Sequence, residues 1–191
     1  MTYRIGYLVG SLSSTSINRQ LAEVLVGLAP PQLRFADIPI GGLPLFSPDL
    51  EADLPPAVAE FKQAVSSSDG LLIVSPEYNR SIPGALKNAI DWGSRPRRDN
   101  SFARKPTGII GASTGHIGTA VMQSSMRSVL SFLDAPQLNS PEAYVTFKPE
   151  VFPGGGVVTD DSTKNSLTHY MGEYAAFVER VLAVNAPGHI G

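Results

Sequence analysis

Residues 4–10, 71–75 and 107–112 are short apolar runs with almost no polar interruption, and each leads through a loop into a segment whose apolar residues recur at helical spacing. A strand that is apolar on both sides must be covered on both faces. Parallel sheets wrapped by crossover helices supply that cover, whereas half-solvated antiparallel sheets show alternation. The run Leu71-Leu72-Ile73-Val74 therefore belongs at the centre of a sheet.

The remaining segments complete the pattern. After the first run, Ile17, Leu21, Val24, Leu25 and Leu28 form a helical stripe that Pro30-Pro31 terminates. A second strand over 33–38 leads into a Pro- and Gly-rich stretch, 39–54, long enough to be a lid, a partner-facing segment or surface filler. A helix over 55–67 places Val58, Phe61 and Val65 inward, and another runs to Trp92-Gly93, with Ser81 expected as its cap and Pro83 in its first turn. The fourth strand precedes a helix whose inward residues are read as Val121, Met122, Val129 and Phe132. A short fifth strand falls between Gln137 and Phe147, and a last helix over 160–184 carries the stripe Leu167, Met171, Tyr174, Val178 and Val181. Strict strand–helix alternation with five strands predicts an α/β, flavodoxin-like three-layer sandwich. Its parallel sheet has the order 2-1-3-4-5 and helices on both faces.

A chain of 191 residues with 42% hydrophobic content suits one well-buried domain, taken here as 1–191. A formal net charge of −2 advertises neither nucleic acid nor an anionic membrane as partner, and the apolar runs are too short to span a bilayer. The expected location is cytoplasmic. With no cysteine there is no disulfide, thiolate metal site or dithiol chemistry, so any electrons handled here need a dissociable cofactor.

Loops beyond the carboxyl ends of parallel strands bind ligands in such sheets. Five of the six residues from Ser11 to Ser16 carry hydroxyls, just where a helix begins. Helix-terminal N–H groups, the dipole and these donors suit a terminal phosphate, with a plain capped serine-rich turn as the competing reading. Neither a dinucleotide glycine fingerprint nor a Walker sequence is present. Pro76-Glu77-Tyr78-Asn79 offers a ring face, amide groups and a stiffened turn, as a planar heterocycle requires, though a structural turn has the same residues. One loop for a phosphate and one for a flat ring together point to flavin mononucleotide (FMN). The third loop, 113–118, has glycines that let backbone amides approach a ligand. Its His116 reads as a solvated loop histidine, and His169 and His189 lie too far along the chain to join it around a metal. Arg95, Arg97 and Arg98 form either a solvated face or a contact for nucleotide phosphates or a partner's carboxylates. Trp92 reads as core, with a subunit interface as the alternative.

On the segments 10–22, 75–92 and, more loosely, 113–118, the chain resembles the NADPH-dependent FMN reductase family, the flavodoxin-like group that includes bacterial quinone and chromate reductases. The likeness runs from about Tyr3 to Leu138. It implies that Ser11, Ser13, Ser16, Ile17 and Asn18 hold the FMN phosphate, that Pro76, Glu77, Tyr78 and Asn79 line the ring, and that Ser113 and Gly115 complete the site. Family members often carry arginine where this chain has Ser13, which leaves Arg19 as a candidate replacement.

The resemblance further implies NADPH or NADH as donor and a two-electron transfer through flavin N5 to a small-molecule acceptor such as a quinone or free flavin. It also implies a homodimer or homotetramer. No side-chain acid or base is required, since the flavin carries the chemistry. A flavin-binding electron carrier with little turnover is the alternative. The near-neutral charge disfavours it, because carriers steer partners with strong fields. A hydrolase would need a nucleophile elbow that the sequence lacks.

Overall fold

A computed structural model describes residues 1–185, so His189 lies outside the described residues. Five parallel strands, β1 (Tyr3–Val9), β2 (Leu33–Asp37), β3 (Gly70–Val74), β4 (Thr107–Ser113) and β5 (Tyr144–Thr146), stand in the order β2-β1-β3-β4-β5. The order expected from strand–helix alternation is thus the order observed. Register places Ile5 beside Gly70 and Val9 beside Val74, and Leu71 beside Thr107. All of β3 is buried, in keeping with its unbroken apolar run.

Period-two alternation divides the apolar residues between two layers. Ile5, Val9, Leu72, Val74 and Ile110 face α1 (Ile17–Leu28) and α5 (Asp161–Asn185). Leu8, Leu71, Ile73 and Ile109 face α2 (Pro56–Ser66), α3 (Gly84–Gly93) and α4 (Ala120–Phe132). Burial of these side chains, worth roughly 1.5–3 kcal/mol each, is the main force holding the layers. Two tyrosines on the α5 stripe add polar anchors within the apolar layer. The Tyr170 hydroxyl donates to Ile109 O at 2.9 Å and that of Tyr174 to Leu71 O at 2.8 Å.

Two expectations are corrected here. Phe132 is 81% exposed and Val121 38%, and Met126 and Leu130 occupy the buried face of α4 instead. Met122, Met126 and Leu130, with Val129 packed beside them, form the inward arc of α4, and Val121 and Phe132 fall outside it. Nor does Ser81 cap α3. Its backbone exchanges two hydrogen bonds with Tyr78, and Pro83 occupies the cap position with no side-chain bond.

The long 39–54 segment, which holds a short 3-10 turn at Pro48–Leu50, is strapped to α3 rather than free. Trp92 Nε1 and Asn88 Nδ2 both donate to Pro44 O, and Phe46 N donates to Asn88 Oδ1. The Phe46 ring meets Trp92 edge-on at 5.0 Å with Arg95 over it at 5.9 Å. Trp92 is fully buried, as its core reading required. Arg95, Arg97 and Arg98 lie in the connector from the end of α3 to the start of β4. Arg95 in that connector lies against the 39–54 segment through Phe46.

At the carboxyl edge of the sheet, where the three loops lie, the strand ends converge tightly. A Cβ on Gly10 would collide with the Ser75 side chain, and one on Gly111 with the Ser75 carbonyl and the Thr119 hydroxyl. Only glycine allows three strands to close this far.

Burial raises the pKa values of Tyr170 and Tyr174 well above that of a free tyrosine. Both groups therefore contribute stability that is complete below about pH 10, where the unfolded side chain ionises, and is lost as pH rises above it. Denaturation of a Tyr170→Phe/Tyr174→Phe variant at neutral pH should show a loss of about 1 kcal/mol per hydrogen bond, with a shallower decline than wild type above about pH 10.

Candidate functional site

Three loops meet above β1, β3 and β4. In the first, Ser16 ends the loop as the N-cap of α1, its Oγ accepting from Arg19 N at 3.2 Å. Arg19 N and Gln20 N are further bonded to Ser16 O, which leaves the N–H groups of Ile17 and Asn18 without a partner among the described residues. Ser13 N donates to Ser11 Oγ and Thr15 N to Ser13 Oγ, so the hydroxyls shape the loop while staying at its surface. An open crevice of about 280 Å³ is lined by Ser11, Ser13, Thr15, Ser16, Ile17 and Asn18, by Pro76, Glu77 and Tyr78, and by Ala112, Ser113 and Thr114. Paired donors at a helix start beside several hydroxyls fit a phosphate dianion.

The side chain of Asn18 is engaged within the protein. It is 1% exposed, and its amide donates to Ala112 O at 2.9 Å while accepting from Ala112 N at 2.8 Å. The reason lies in β3. Ser75 N bonds Ile110 O, but the β3–β4 pairing ends at Val74 and Ile110, so no β3 residue pairs with Ala112. The Asn18 side chain takes the place of the missing strand at Ala112, tying the first loop to the third. What Asn18 can offer a ligand is its backbone N–H.

Glu77 makes a second tie. Its side chain is 8% exposed, and Oε2 accepts from Val121 N at 3.0 Å and Met122 N at 3.1 Å. Thr119 makes no side-chain cap at the start of α4, so the second loop supplies the cap and complements the helix dipole. Oε1 accepts from Arg80 Nη1 at 3.0 Å. Tyr78, half exposed, opens a two-residue turn in which Asn79 and Arg80 both hold positive φ, +51° and +61°. This double left-handed turn, closed by the Tyr78–Ser81 bonds, displaced the expected Ser81 cap.

Ser113 Oγ accepts from Gly115 N at 3.1 Å and begins the third loop. Beside the crevice, and sharing Glu77 and Ser113 with it, a cavity of about 490 Å³ is lined by Asn79, Arg80, Gly115, His116, Ile117 and Gly118. All eleven sequence-expected residues therefore border one of these two adjoining spaces. Sequence reasoning did not single out Thr15, Thr114 and Arg80 as site residues. Thr15 and Thr114 lay within hydroxyl-bearing loops that signalled them, but nothing in the sequence marked Arg80.

Arg19 does not replace the missing phosphate-loop arginine. Its guanidinium is paired with Asp37 at 2.7 Å and lies over the Tyr7 ring at 5.8 Å. A larger space of about 590 Å³ lies between β5 and α5, lined by Tyr144, Lys148, Asp160 and His169 among others. There the Asp160 carboxylate caps α5, accepting from Thr163 N, and puts a negative charge at that helix start. Among the described residues no group of His, Asp and Glu is placed to hold a metal, and no helix is long and apolar enough to cross a membrane.

Known proteins resemble the chain over most of its length. Residues 3–150 match the sequence profile of the NADPH-dependent FMN reductases. A 2-hydroxy-1,4-benzoquinone reductase of a Burkholderia species is 46% identical over 178 residues, covering 93% of this chain and 97% of the relative. A quinone reductase of Pseudomonas putida is 40% identical over 183 residues, covering 95% and 98%. Among solved structures, FerB of Paracoccus denitrificans, a flavoenzyme NAD(P)H:(acceptor) oxidoreductase, superposes with a TM-score of 0.90. It has 38% identity and coverage of 94% and 98%.

The two Asn18 bonds are buried, and removing the amide strands the Ala112 N–H and C=O. Asn18→Ala should destabilise the cofactor-free protein by about 2–4 kcal/mol in chemical denaturation. An unchanged midpoint would show that the tie is not structural.

Proposed function

The chain belongs to the NADPH-dependent FMN reductase family, and on that premise we propose that it is an FMN-bearing NAD(P)H oxidoreductase whose acceptor is a quinone-class small molecule. The observation that carries this reading is the pairing at the carboxyl edge. A crevice with free helix-terminal N–H groups and hydroxyls opens into a second cavity bordered by the β3 and β4 loops. Those dimensions and donors fit FMN, phosphate in the first space and ring towards the second.

In this reading Ser11, Ser13 and Ser16 donate hydroxyls, and Ile17 and Asn18 backbone N–H groups, to the phosphate. No arginine takes part, so dipoles and neutral donors hold the charge. Pro76, Glu77, Tyr78 and Asn79 border the ring on one side, and the Ser113 and Gly115 backbone borders its polar edge. FMN, when bound, supplies the two-electron chemistry that this cysteine-free chain has no side chain to perform. One NAD(P)H and one proton from solvent balance the conversion of a quinone to its hydroquinone. Relatives named for quinone and 2-hydroxy-1,4-benzoquinone reduction support that acceptor class.

We place the protein in the cytoplasm, where the NAD(P)H pool is held, and read 1–191 as a single FMN-binding domain. Leu12, Tyr78 and Ile117 are exposed around the mouth of the site, and Leu45 is 84% exposed on the strapped 39–54 segment. Such apolar residues beside a cofactor crevice support a homodimer or homotetramer that covers it.

The apoprotein should take up one FMN per chain, lose its yellow absorbance under anaerobic NADPH and recover it on addition of a quinone. Bleaching without recovery by any quinone or free flavin would favour a carrier. Ser13→Ala and Ser16→Ala should each weaken FMN binding about tenfold, measured by quenching of flavin fluorescence.

A further inference from the structure

Arg80 is held in a conformation that glycine adopts freely and arginine does not, with φ at +61°. The cap of α4 by the Glu77 carboxylate it touches does not depend on Arg80, because Oε2 takes both backbone N–H groups and Arg80 meets Oε1. Closing the turn does not need the guanidinium either, since the Tyr78–Ser81 backbone bonds do that. The contact through Nη1 fixes the direction of the guanidinium and leaves Nε and Nη2 without a partner among the described residues. These two nitrogens form the side-on edge of the arginine fork, which grips two neighbouring oxygens at once. Arg80 is the one permanent cation among the residues lining the cavity of about 490 Å³, which also presents His116, Ile117 and Gly118.

Resting on the quinone-reductase reading above, we propose that Arg80 makes this cavity selective for ionised hydroxyquinones over neutral quinones. A hydroxyl beside a quinone carbonyl is a vinylogous acid. It loses its proton near or below neutral pH and leaves a planar anion whose charge is shared with conjugated carbonyl oxygens. The oxide and the adjacent carbonyl present two acceptor oxygens on neighbouring carbons, the arrangement to which the free Nε–Nη2 edge donates in pairs. Ile117, half exposed, offers apolar surface for the ring of such a molecule. Glu77 does not repel the anion strongly, because the N-terminus of α4 and Arg80 itself offset its charge.

The test compares 2-hydroxy-1,4-naphthoquinone with 1,4-naphthoquinone on the FMN-loaded protein. Dissociation constants are measured by equilibrium dialysis without NAD(P)H, and KM values with it. Wild type should bind the hydroxyquinone more tightly. Arg80→Gln should lower the preference about tenfold, and Arg80→Lys, which keeps the charge but not the fork, should restore only part of it. Arg80→Gly, which suits the positive φ, should fold at least as well and lose the preference equally. A preference that survives both Arg80→Gln and Arg80→Gly overturns the proposal, as does a wild type that reduces 1,4-naphthoquinone yet shows no preference. If wild-type protein binds FMN but reduces neither quinone, the quinone-reductase reading has failed, and this proposal with it.

Discussion

The hydrogen-bonded pair between the Asn18 amide and the Ala112 backbone holds the carboxyl edge of the sheet in the shape its chemistry needs. The β3 ladder stops short of Ala112 on β4, and a side chain from the start of α1 completes it. Asn18 thereby fixes where the helix begins, and so where the free N–H groups of Ile17 and Asn18 point. Glu77 repeats the device on the other face, closing the start of α4 from the β3 loop. Both ties bind loops that are distant in sequence, so the crevice is prepared before any ligand arrives. Preorganised donors lose little freedom on binding, which suits a phosphate held without a cation.

The two helix starts are used differently. That of α1 keeps two N–H groups free for a ligand, while those of Val121 and Met122 on α4 are taken by Glu77. The same carboxylate orients Arg80, so the loop after β3 carries three consequences of one buried charge: a capped helix, a fixed guanidinium and a shared wall between the two spaces. The cation run at Arg95, Arg97 and Arg98 takes no part in this within the protomer, since none of the three lines either space.

The strands, helices and sheet order were legible because burial on both faces leaves a local signature, an unbroken apolar run such as Leu71 to Val74. The three loops were legible from their positions after such runs. What the sequence concealed was which polar groups in those loops are already engaged. Asn18 reads as a ligand donor until Ala112, 94 residues away, is seen to use both ends of its amide. Arg19 looks available until Asp37 is found beside it. Ser81 resembles a cap because nothing local announces that Arg80 takes a left-handed conformation. Phe132 extends a helical stripe that Met126 and Leu130 have already filled. These are pairings between distant segments, and local pattern carries no information about them.

Hydrogen exchange at single-residue resolution, with and without FMN, tests the central claim most directly. The account predicts that FMN slows exchange at the amides of Ile17 and Asn18 and within 113–118, with little change along Tyr144–Thr146 or the first turn of α5. Protection centred on the space between β5 and α5, or no protection at Ile17 and Asn18, would contradict it.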